Sequence, residues 1–541
     1  MKIQMLKSIT AGLLSAVMLA GCSPNAPSAS SSGDSTETAS SESQSEPTVT
    51  LKIHWHSENR YTLDDSSGNL LPVFQLAADK TNVNVISTAN PAAQDSLQEF
   101  QLQATNQFPD DIYGGAGMKD GIYTYAMQGA FQPLDDLIES DAPNFKQFLE
   151  EHPAVKRSLV ASDGHIYMFP HVQDGTVARA YFIRQDWLDK LNLEMPTTVE
   201  ELEKVLYAFR NDDPNGNGKK DEIPFFNDRY LEMIRAANLF GARVYGNDNL
   251  TERICLDEND HFYHAWLDDK FKNALIHLAK WYKDGIIDPE VFTRKANTAR
   301  QTLFTKENVG GMTHDWIAST SSYNDNTEVK KIAPDFKLVA MLPPSYNGNP
   351  GFEEHQRPVC KPDGWAISTH CKNPEAAIRF MDWFYSPEGI IAENFGIEGD
   401  TYTMQDGKPK FTEKVLQSGA VNTYLCTNYG AVAHVGYPMD YDYEIQWTNE
   451  EGNKAHDLYL NNANYATPTP ILNFTAEERS IYDQYLTDLN TYLDEAVQNF
   501  ITGKTDVNTG WDAYVERAKS LGADEIVKVY ESAYQRYKSE E

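Results

Sequence analysis

Cysteine is scarce in this sequence, which has five in 541 residues. Apart from Cys22 near the start, no two of them have the spacing of a zinc ribbon, which excludes that kind of metal site. We expect the remaining cysteines to be buried free thiols, with a Cys360–Cys371 disulfide as the alternative. They are Cys255, Cys360, Cys371 and Cys426.

Basic side chains are outnumbered by acidic ones. Lys and Arg total 46 against 79 Asp and Glu, which gives a formal net charge of −33 at pH 7. A chain with this charge repels the phosphates of nucleic acids and the anionic surfaces of membranes. The composition therefore argues against both as ligands, and it suits a soluble extracellular surface.

The motifs of several enzyme classes are also missing. The sequence has no metal-catalytic motif, no nucleophile elbow and no phosphate-binding loop. Glycosidases need only two carboxylates at a set separation, and acidic residues are abundant here. We expect a protein that is not an enzyme. A secreted lipoprotein glycosidase or polysaccharide lyase is the alternative, and an adhesin or surface scaffold is a third possibility.

A second long hydrophobic run is absent, and the single one stands at the N-terminus. Residues 1–21 carry Lys2 and Lys7 before an apolar stretch at 9–20, which predicts a secretory signal peptide. The stretch is too short for a membrane span, which needs about 20 apolar residues. Leu-Ala-Gly-Cys at 19–22 resembles the bacterial lipobox, so we expect diacylation of Cys22. An ordinary signal peptide with a chance cysteine is the alternative.

The next segment, residues 22–47, is rich in Ser, Thr, Ala, Pro and Glu and has almost no apolar side chain. Such a composition cannot bury enough surface to offset its chain entropy. It predicts a disordered tether. The globular part would then stand outside the cell, lipid-anchored to the outer face of the cytoplasmic membrane.

Beyond the tether, strands and helices alternate. Apolar residues at every second position predict a strand at 48–56, and further strands are expected at 83–86 and 108–113, with helices near 70–80 and 96–106. This order is typical of an α/β sheet, in which ligands bind beyond the carboxyl ends of strands. Trp55, His56 and the turn at 114–117 are therefore expected near any cleft. The remaining length, about 490 residues, favours two or more lobes.

The motif with the most oxygen-bearing side chains in a short stretch is a ten-residue loop at 213–222. Calcium takes roughly six to eight oxygen ligands, and alternate side chains in a tight loop point to one centre. Gly218 stands sixth, where such a loop needs a residue free to adopt positive φ. Pro224 stands at the twelfth place, which usually holds a bidentate Glu. Asp221 and Glu222 would therefore have to complete the coordination of the ion. An Asn-Gly turn with incidental acids is the alternative. The predicted calcium ligands are the side chains of Asp213, Asn215, Asn217, Asp221 and Glu222 and the carbonyl of Lys219.

Taken together, several segments resemble a known family. The sequence is similar to the lipoprotein solute-binding proteins of ATP-binding-cassette (ABC) sugar importers, specifically extracellular solute-binding protein family 1 and its alginate-oligosaccharide-binding members. The resemblance covers nearly the whole mature chain and depends on the order and number of the matching segments. These lie at residues 109–112, 129–134, 184–188, 213–222, 282–289, 373–383 and 395–399.

The resemblance implies a two-lobed, periplasmic-binding-protein-like fold of type II, with extra C-terminal helices and a sugar between the lobes. It implies calcium in the loop at 213–222 and a permease as the partner of a monomeric protein. We expect an extracellular substrate-binding lipoprotein that delivers an oligosaccharide to that permease. Lobe 1 would comprise residues 48–172 and 361–410, and lobe 2, mostly helical and carrying the calcium loop, residues 173–360 and 411–541.

Candidate ligand residues are aromatic or polar side chains in turn-rich context. Aromatic faces stack on the C–H faces of sugars, and polar side chains bind the hydroxyl groups. Core packing is the alternative for each of them, and for Trp187, Trp281 and Trp383 helical spacing favours it. His355 and Arg357 are candidates for a carboxylated sugar, with surface ion pairing as the alternative. The predicted ligand residues are Trp55, His56, Trp316, Trp365 and Tyr429.

Overall fold

The computed structural model describes residues 49–56, 63–90, 95–247, 249–295 and 298–539. The predicted signal peptide, Cys22 and the tether lie outside the described residues. Within the described ranges, the strands in chain order are β1 (Val49–His56), β2 (Val83–Ser87), β3 (Ile112–Gly115), β4 (Phe169–Val172), β5 (Arg179–Arg184), β6 (Ile223–Phe225), β7 (Ile254–Leu256), β8 (Phe262–His264), β9 (Gly310–Trp316), β10 (Leu338–Met341), β11 (Cys360–Ile367), β12 (Tyr402–Gln405) and β13 (Lys408–Phe411).

Helices surround these strands. In chain order they are α1 (Pro72–Thr81), α2 (Ser96–Thr105), α3 (Lys119–Ala126), α4 (Asp135–Asp141), α5 (Pro143–Glu151), α6 (Pro153–Leu159), α7 (Gln185–Leu191), α8 (Val199–Asn211), α9 (Tyr230–Met233), α10 (Asp269–Lys283), α11 (Ile317–Ser321), α12 (Thr327–Ile332), α13 (Pro374–Trp383), α14 (Pro387–Phe395), α15 (Glu413–Leu416), α16 (Val421–Tyr429), α17 (Asp442–Trp447), α18 (Glu450–Asn462), α19 (Ala476–Ile501), α20 (Val507–Ser520) and α21 (Ala523–Ser539).

The first sheet has five strands in the order β2-β1-β3-β11-β4. β1 lies between β2 and β3 and is parallel to both, whereas β11 is antiparallel to β3 and β4. The predicted alternation in β1 is confirmed for Leu51 and Ile53, which are both fully buried. The carboxyl ends of three parallel strands therefore meet at one edge, the place where α/β sheets bind ligands.

The second sheet has four strands in the order β10-β5-β9-β6. β5 is antiparallel to both of its neighbours, and β6 is parallel to β9. All six residues of β5 are buried, because successive side chains point to opposite faces and each face has its own core. Tyr181 and Ile183 lie in one hydrophobic cluster, and Ala180 and Phe182 lie in another.

Two sheets with separate cores give two lobes, which confirms the predicted α/β class. Segments 173–178 and 342–359 cross from one sheet to the other. A third crossing runs between Tyr443, in the core of the first sheet, and Ala455, in the core of the second. The core of the first sheet also includes Phe411, Val415 and Leu425, beyond the predicted boundary at residue 410.

The helix starts follow from local sequence. The spacing Thr-x-x-Glu predicts capping boxes at residues 198–201 and 475–478. Both are present: Thr198 with Glu201 begins α8, and Thr475 with Glu478 begins α19. The sequence also predicts a last helical region from about residue 510 to 537. The structure divides it into α20 and α21, and Gly522 between them has a φ of 95°. None of the helices within the described ranges combines the length and apolar character that crossing a bilayer requires.

Most large apolar side chains fill the cores. Trp187, Trp281 and Trp383 are buried, as their helical spacing predicts. The four cysteines after the tether are buried free thiols, so the expectation of free thiols is confirmed and the Cys360–Cys371 disulfide is not formed. Trp365, in β11, has no exposed surface; its ring packs edge-on against that of Trp55, with centroids 5.8 Å apart.

This burial gives a test of core packing. We expect Trp365→Ala to lower the free energy of unfolding by about 3–5 kcal/mol, because it removes a buried ring and leaves a cavity. Denaturant unfolding followed by circular dichroism measures the change. Trp316→Ala is the matched control, since that ring keeps part of its surface in solvent. Equal losses in the two variants would contradict the assignment of Trp365 to the core.

Candidate ligand cleft and cation loop

Trp316 is the last residue of β9, at the carboxyl end of the strand that pairs with β5 and β6. Part of its ring remains exposed. The guanidinium carbon of Arg179 lies 4.8 Å from the ring centroid, a cation–π contact. The ring of His355 meets it edge-on, with centroids 5.3 Å apart. The exposed part of the Trp316 ring is thus a supported apolar surface.

Polar side chains lie at the same end of β9, where Arg300 Nη1 donates hydrogen bonds to Ser319 and Thr320 of α11. Arg300 Nε lies 3.2 Å from Asp315 Oδ2, and Arg300 Nη2 lies 3.7 Å from Asp228 Oδ2. Burial raises the pKa of Asp228, and the charge of Asp315 adds to that rise. Donors and acceptors beside an aromatic surface are what recognition of a sugar requires. We refer to Trp316, Arg179, Asp228, Arg300 and Asp315 as the Trp316 site.

The Trp316 site adjoins the crossing segments. Arg357, in segment 342–359, donates a hydrogen bond from Nη2 to Glu444 Oε2 at 2.7 Å, and its guanidinium carbon lies 4.9 Å from the centroid of Tyr441. Arg357 is 9% exposed and His355 2% exposed. The alternative of surface ion pairing is therefore wrong for Arg357, because its ion pair is buried and joins two crossing segments.

A chain of buried charges runs from the Trp316 site to the same crossing segment. Arg179 binds Glu232 through two hydrogen bonds of 2.7 and 3.1 Å. Arg235 Nε lies 3.4 Å from Glu232 Oε2, and Arg235 Nη1 lies 3.5 Å from Glu354 Oε2. Arg243 Nε lies 3.7 Å from Glu354 Oε1. We call these five residues the ionic chain.

The pKa of Glu232 reflects its place in this chain. Burial opposes ionisation of the carboxyl, but Arg179 and Arg235 outweigh it and hold the pKa at about 2. Glu354 accepts hydrogen bonds from the backbone N–H groups of Val244 and Tyr245, at 2.6 and 3.0 Å. The chain therefore fixes β5, the crossing segment and residues 243–245 relative to one another.

The other predicted ligand residues lie elsewhere. Trp55 and Trp365 pack in the core of the first lobe, where no ring face is open to a sugar. His56 is 3% exposed and its Nδ1 lies 2.9 Å from Ser96 Oγ. Tyr429 is 6% exposed and bonds through its hydroxyl to Asp400 and Lys414. The structure thus brings none of the four into contact with Trp316.

Sequence reasoning missed Arg179, Asp228 and Arg300 at the Trp316 site. The available signal was the composition of β5, a continuous apolar run with an arginine at each end. A basic residue at the start of a buried strand requires a partner of opposite charge. The partners come from distant parts of the chain, so spacing alone does not reveal them.

A cavity of about 660 Å³ lies apart from the Trp316 site. It is lined by α3, the start of β11, the segment around Asn247 and Asn249, and the N-terminal part of α19. None of the five residues of the Trp316 site and none of the predicted ligand residues lines it.

The predicted calcium loop follows α8. Asp213, Gly216 and Gly218 have φ values of 46°, 74° and 76°, which produce the tight turn. The carboxylate of Asp213 accepts hydrogen bonds from the N–H groups of Asn217 and Gly218, each at 3.0 Å. Asn217 Nδ2 donates to Asp221 at 3.0 Å. The loop is thus closed on itself by the side chains expected to bind a cation.

Glu222 is the feature of this loop that fits a cation. It is 1% exposed, and neither of its carboxylate oxygens has a hydrogen-bond partner among the described residues. Burial raises its pKa, and the charges of Asp221 and Asp213 add to that rise. A buried carboxylate in this position is costly unless a positive charge neutralises it. The described residues contain no set of three or more His, Cys, Asp or Glu side chains arranged around one point for a metal.

Comparison with known proteins identifies the family. Residues 73–391, more than half of the chain, match the family described as bacterial extracellular solute-binding protein. The chain belongs to this family. The prediction of the family is therefore confirmed.

Individual relatives agree with this assignment. The crystal structure of the alginate-binding protein AlgQ2, solved without calcium ion, superposes with a TM-score of 0.79 and is 39% identical; the match covers 91% of this chain and 99% of that one. The fructooligosaccharide ABC transporter substrate-binding protein FusA of Streptococcus pneumoniae is 25% identical over 81% of each chain. Lipoprotein LipO of Bacillus subtilis is 24% identical over 99% of this chain and all of its own. Two-lobed solute-binding proteins therefore share both the sequence pattern and the fold of this chain.

The ionic chain generates a prediction about pH. We expect Glu232→Gln to lower the free energy of unfolding at pH 7 by about 3 kcal/mol, since its pKa moves from 4.5 in the unfolded chain to about 2 on folding and each unit is worth ~1.36 kcal/mol. A lowered folded-state pKa gives stability that is present above about pH 4.5 and is lost as the pH falls toward 2.

Urea unfolding of both proteins between pH 7 and pH 3 measures this difference. The gap between wild type and Glu232→Gln should narrow as the pH falls. Glu200→Gln, an exposed acid in the first turn of α8, is the control and should differ little from wild type. A gap that stays constant over the whole range would rule out the ionised Glu232 as its source.

Proposed function

We propose that this protein is the substrate-binding lipoprotein of an ABC importer, which binds an oligosaccharide between its two lobes and delivers it to a membrane permease. The observation that carries the proposal is the Trp316 site, where a partly exposed indole packs against a guanidinium at a strand end that also carries an ion-paired carboxylate. The names of the relatives support it, since AlgQ2 is an alginate-binding protein and FusA a fructooligosaccharide-binding one.

Binding would need no covalent step. The exposed part of the Trp316 ring would stack on the C–H face of one sugar residue. Asp228, Asp315 and Arg300 would exchange hydrogen bonds with its hydroxyl groups, as donors and acceptors that are already positioned. Rotation about the crossing segments would then bring the first lobe over the sugar, and the closed form would dock on the permease.

The anchor and the division into lobes are also part of the proposal. A lipid on Cys22 would hold the monomeric protein at the outer face of the cytoplasmic membrane, and the relative named as a lipoprotein supports this. We propose the predicted lobes with one change. Packing supports placing residues 411–443 in lobe 1, because Phe411, Leu425 and Tyr443 lie in its core.

Calorimetry with a broad panel of oligosaccharides tests the proposal against the enzymatic alternative. We expect reversible binding of one class of oligosaccharide, with no new reducing ends in the mixture afterwards. Cleavage of a bound glycan would instead favour the glycosidase or lyase. The absence of binding across neutral and charged glycans would argue against an oligosaccharide receptor.

Substitution of Trp316 tests directly whether this residue contacts the oligosaccharide. We expect Trp316→Ala to weaken binding of the best oligosaccharide from the panel by about tenfold or more, because removing an aromatic anchor costs at least ~1.4 kcal/mol. Trp187→Phe, a change within the core of the second lobe, is the control and should leave the affinity near that of wild type. An unchanged dissociation constant for Trp316→Ala would remove Trp316 from the ligand site.

We further propose a structural calcium ion in the loop at 213–222. Glu222, with its unpartnered buried carboxylate, supports this choice. A solved structure of the relative FusA carries an EF-hand mutation, which indicates that such a loop exists in that protein. The proposed ligands are the side chains of Asp213, Asn215, Asn217, Asp221 and Glu222 and the carbonyl oxygen of Lys219.

Calcium should therefore stabilise the protein. At a calcium concentration 100 times the dissociation constant, we expect the folded state to gain about 2.7 kcal/mol, because the ion binds only the folded loop. Thermal melting with calcium and with excess chelator measures the shift. Glu222→Gln should abolish most of this shift, and Glu200→Gln should keep it. A chelator-insensitive melting temperature in wild type would contradict the proposal.

A further inference from the structure

Trp316 shares one face of the second sheet with His314, because the two residues lie two positions apart in β9. Their cross-strand partners in β5 are Arg179, directly opposite Trp316, and Tyr181, directly opposite His314. The rings of Tyr181 and His314 pack with their centroids 4.5 Å apart. Each of the two β9 side chains is thus packed against its neighbour on β5, as cross-strand pairs in a sheet are.

Glu353 contacts this arrangement from the crossing segment 342–359, where it is 2% exposed. Its Oε2 lies 2.9 Å from Nε2 of His314. Its Oε1 accepts a hydrogen bond of 2.7 Å from the backbone N–H of His355, whose ring packs edge-on against that of Trp316. One buried carboxyl group therefore binds both the strand that carries Trp316 and the residue that packs against the Trp316 ring.

The position of Glu353 is itself fixed through its backbone. Its N–H donates to the carbonyl of Asn464 at 2.7 Å, and its carbonyl accepts from the N–H of Ala466 at 2.9 Å. Both residues follow α18, whose residues Ala455 and Tyr459 lie in a hydrophobic cluster of the second sheet. Glu353 is therefore anchored to the same lobe as Trp316, and a rigidly held residue can orient the side chains that it binds.

The two hydrogen bonds of Glu353 require a carboxylate. A carboxylate only accepts hydrogen bonds, so the imidazole of His314 donates from Nε2. Nδ1 of the same ring is buried and has no hydrogen-bond partner among the described residues. The other tautomer would therefore leave a buried N–H group unpaired, which is costly. The carboxylate has two acceptor oxygens and satisfies both donors at once, the ring of His314 and the N–H of His355.

We propose that Glu353 is a positioning residue for the Trp316 ring, which it orients by fixing His314 in the strand and His355 against the ring. The inference rests on the proposed function, in which the exposed part of that ring stacks on a sugar. A ring that is already ordered in the free protein loses less conformational entropy when the sugar binds. Glu353 thereby raises the affinity for the oligosaccharide, although its own burial keeps it out of the ligand's reach.

Glu353→Gln tests this role in the full chain. A side-chain amide has one acceptor oxygen, so it can satisfy one of the two donors and not the other. We expect the variant to bind the best oligosaccharide from the panel about 2- to 10-fold more weakly, which corresponds to the cost of ordering one side chain on binding. In the Trp316→Ala background the same substitution should cause no further loss, because no ring is left to position.

Asp382→Asn is the matched control for this carboxylate-to-amide change. Asp382 belongs to α13 in the first lobe and is buried. It also accepts two hydrogen bonds, from Asn144 Nδ2 at 2.6 Å and from the backbone N–H of Phe145 at 2.8 Å. This variant should keep the affinity of wild type. A loss as large as that of Glu353→Gln would overturn the proposal, because the effect would then not be specific to the neighbourhood of Trp316.

Fluorine NMR of protein labelled with 5-fluorotryptophan gives a second measurement, which needs no ligand. The chain has nine tryptophans, and the resonance of Trp316 is identified by its absence from the spectrum of Trp316→Ala. We expect Glu353→Gln to shift or broaden that resonance and Asp382→Asn to leave it unchanged. Thermal melting shows which variants are folded. If Glu353→Gln is not, His314→Phe removes one of the two hydrogen bonds, keeps a ring against Tyr181 and should have the same effects.

The outcomes separate this proposal from the proposed function. Weaker binding by Trp316→Ala, together with wild-type affinity in a folded Glu353→Gln protein, would overturn the role of Glu353 alone. An unchanged Trp316 resonance would do the same, as would an equal loss of affinity from Glu353→Gln with and without Trp316. Failure of the oligosaccharide screen would count against the proposed function, and the fluorine spectrum would still decide whether Glu353 positions the ring.

Discussion

The ionic chain is the constraint on which the arrangement of the second lobe depends. Arg179, Glu232, Arg235, Glu354 and Arg243 alternate in sign within the protein interior. A buried charge without a partner is far more costly than a buried pair. Neither glutamate can therefore move without separating buried charges of opposite sign. The start of β5, the part of segment 342–359 around Glu354 and residues 243–245 are consequently held together.

This rigidity determines where the lobes can hinge. Glu354 holds the middle of segment 342–359 to the second lobe, whereas Cys360, at the end of that segment, already belongs to the first sheet. Bending in this segment must then occur between residues 355 and 359. Arg357 lies within that stretch and is paired with Glu444 on the third crossing, so the two segments would have to bend together. The Trp316 ring packs against Arg179 and His355, so its position is set by contacts with residues on either side of that stretch.

Local sequence predicted the parts of the fold that local forces determine. The alternation in β1, the two capping boxes and the tight turns of the cation loop each involve residues within about ten positions of one another. Whether an individual tryptophan is buried or partly exposed could not be predicted in this way. Trp55 and Trp316 both lie near the ends of strands. Trp55 packs against Trp365, a residue 310 positions later in the chain, whereas Trp316 remains partly exposed beside Arg179. The difference from the predicted lobe boundary at residue 410 has the same cause, because the packing of residues 411–443 is decided by distant partners.

The buried ionisable groups of this fold fall into three classes, according to their surroundings. Those of the ionic chain are paired with opposite charge. Glu393 is fully buried and accepts a hydrogen bond from the backbone N–H of Ala433, and burial raises the pKa of its carboxyl well above the usual range. Glu222 fits neither pattern well, because its neighbours are acidic rather than basic. The ionic chain receives opposite charge from within the fold, whereas Glu222 would need that charge from solution, as a cation.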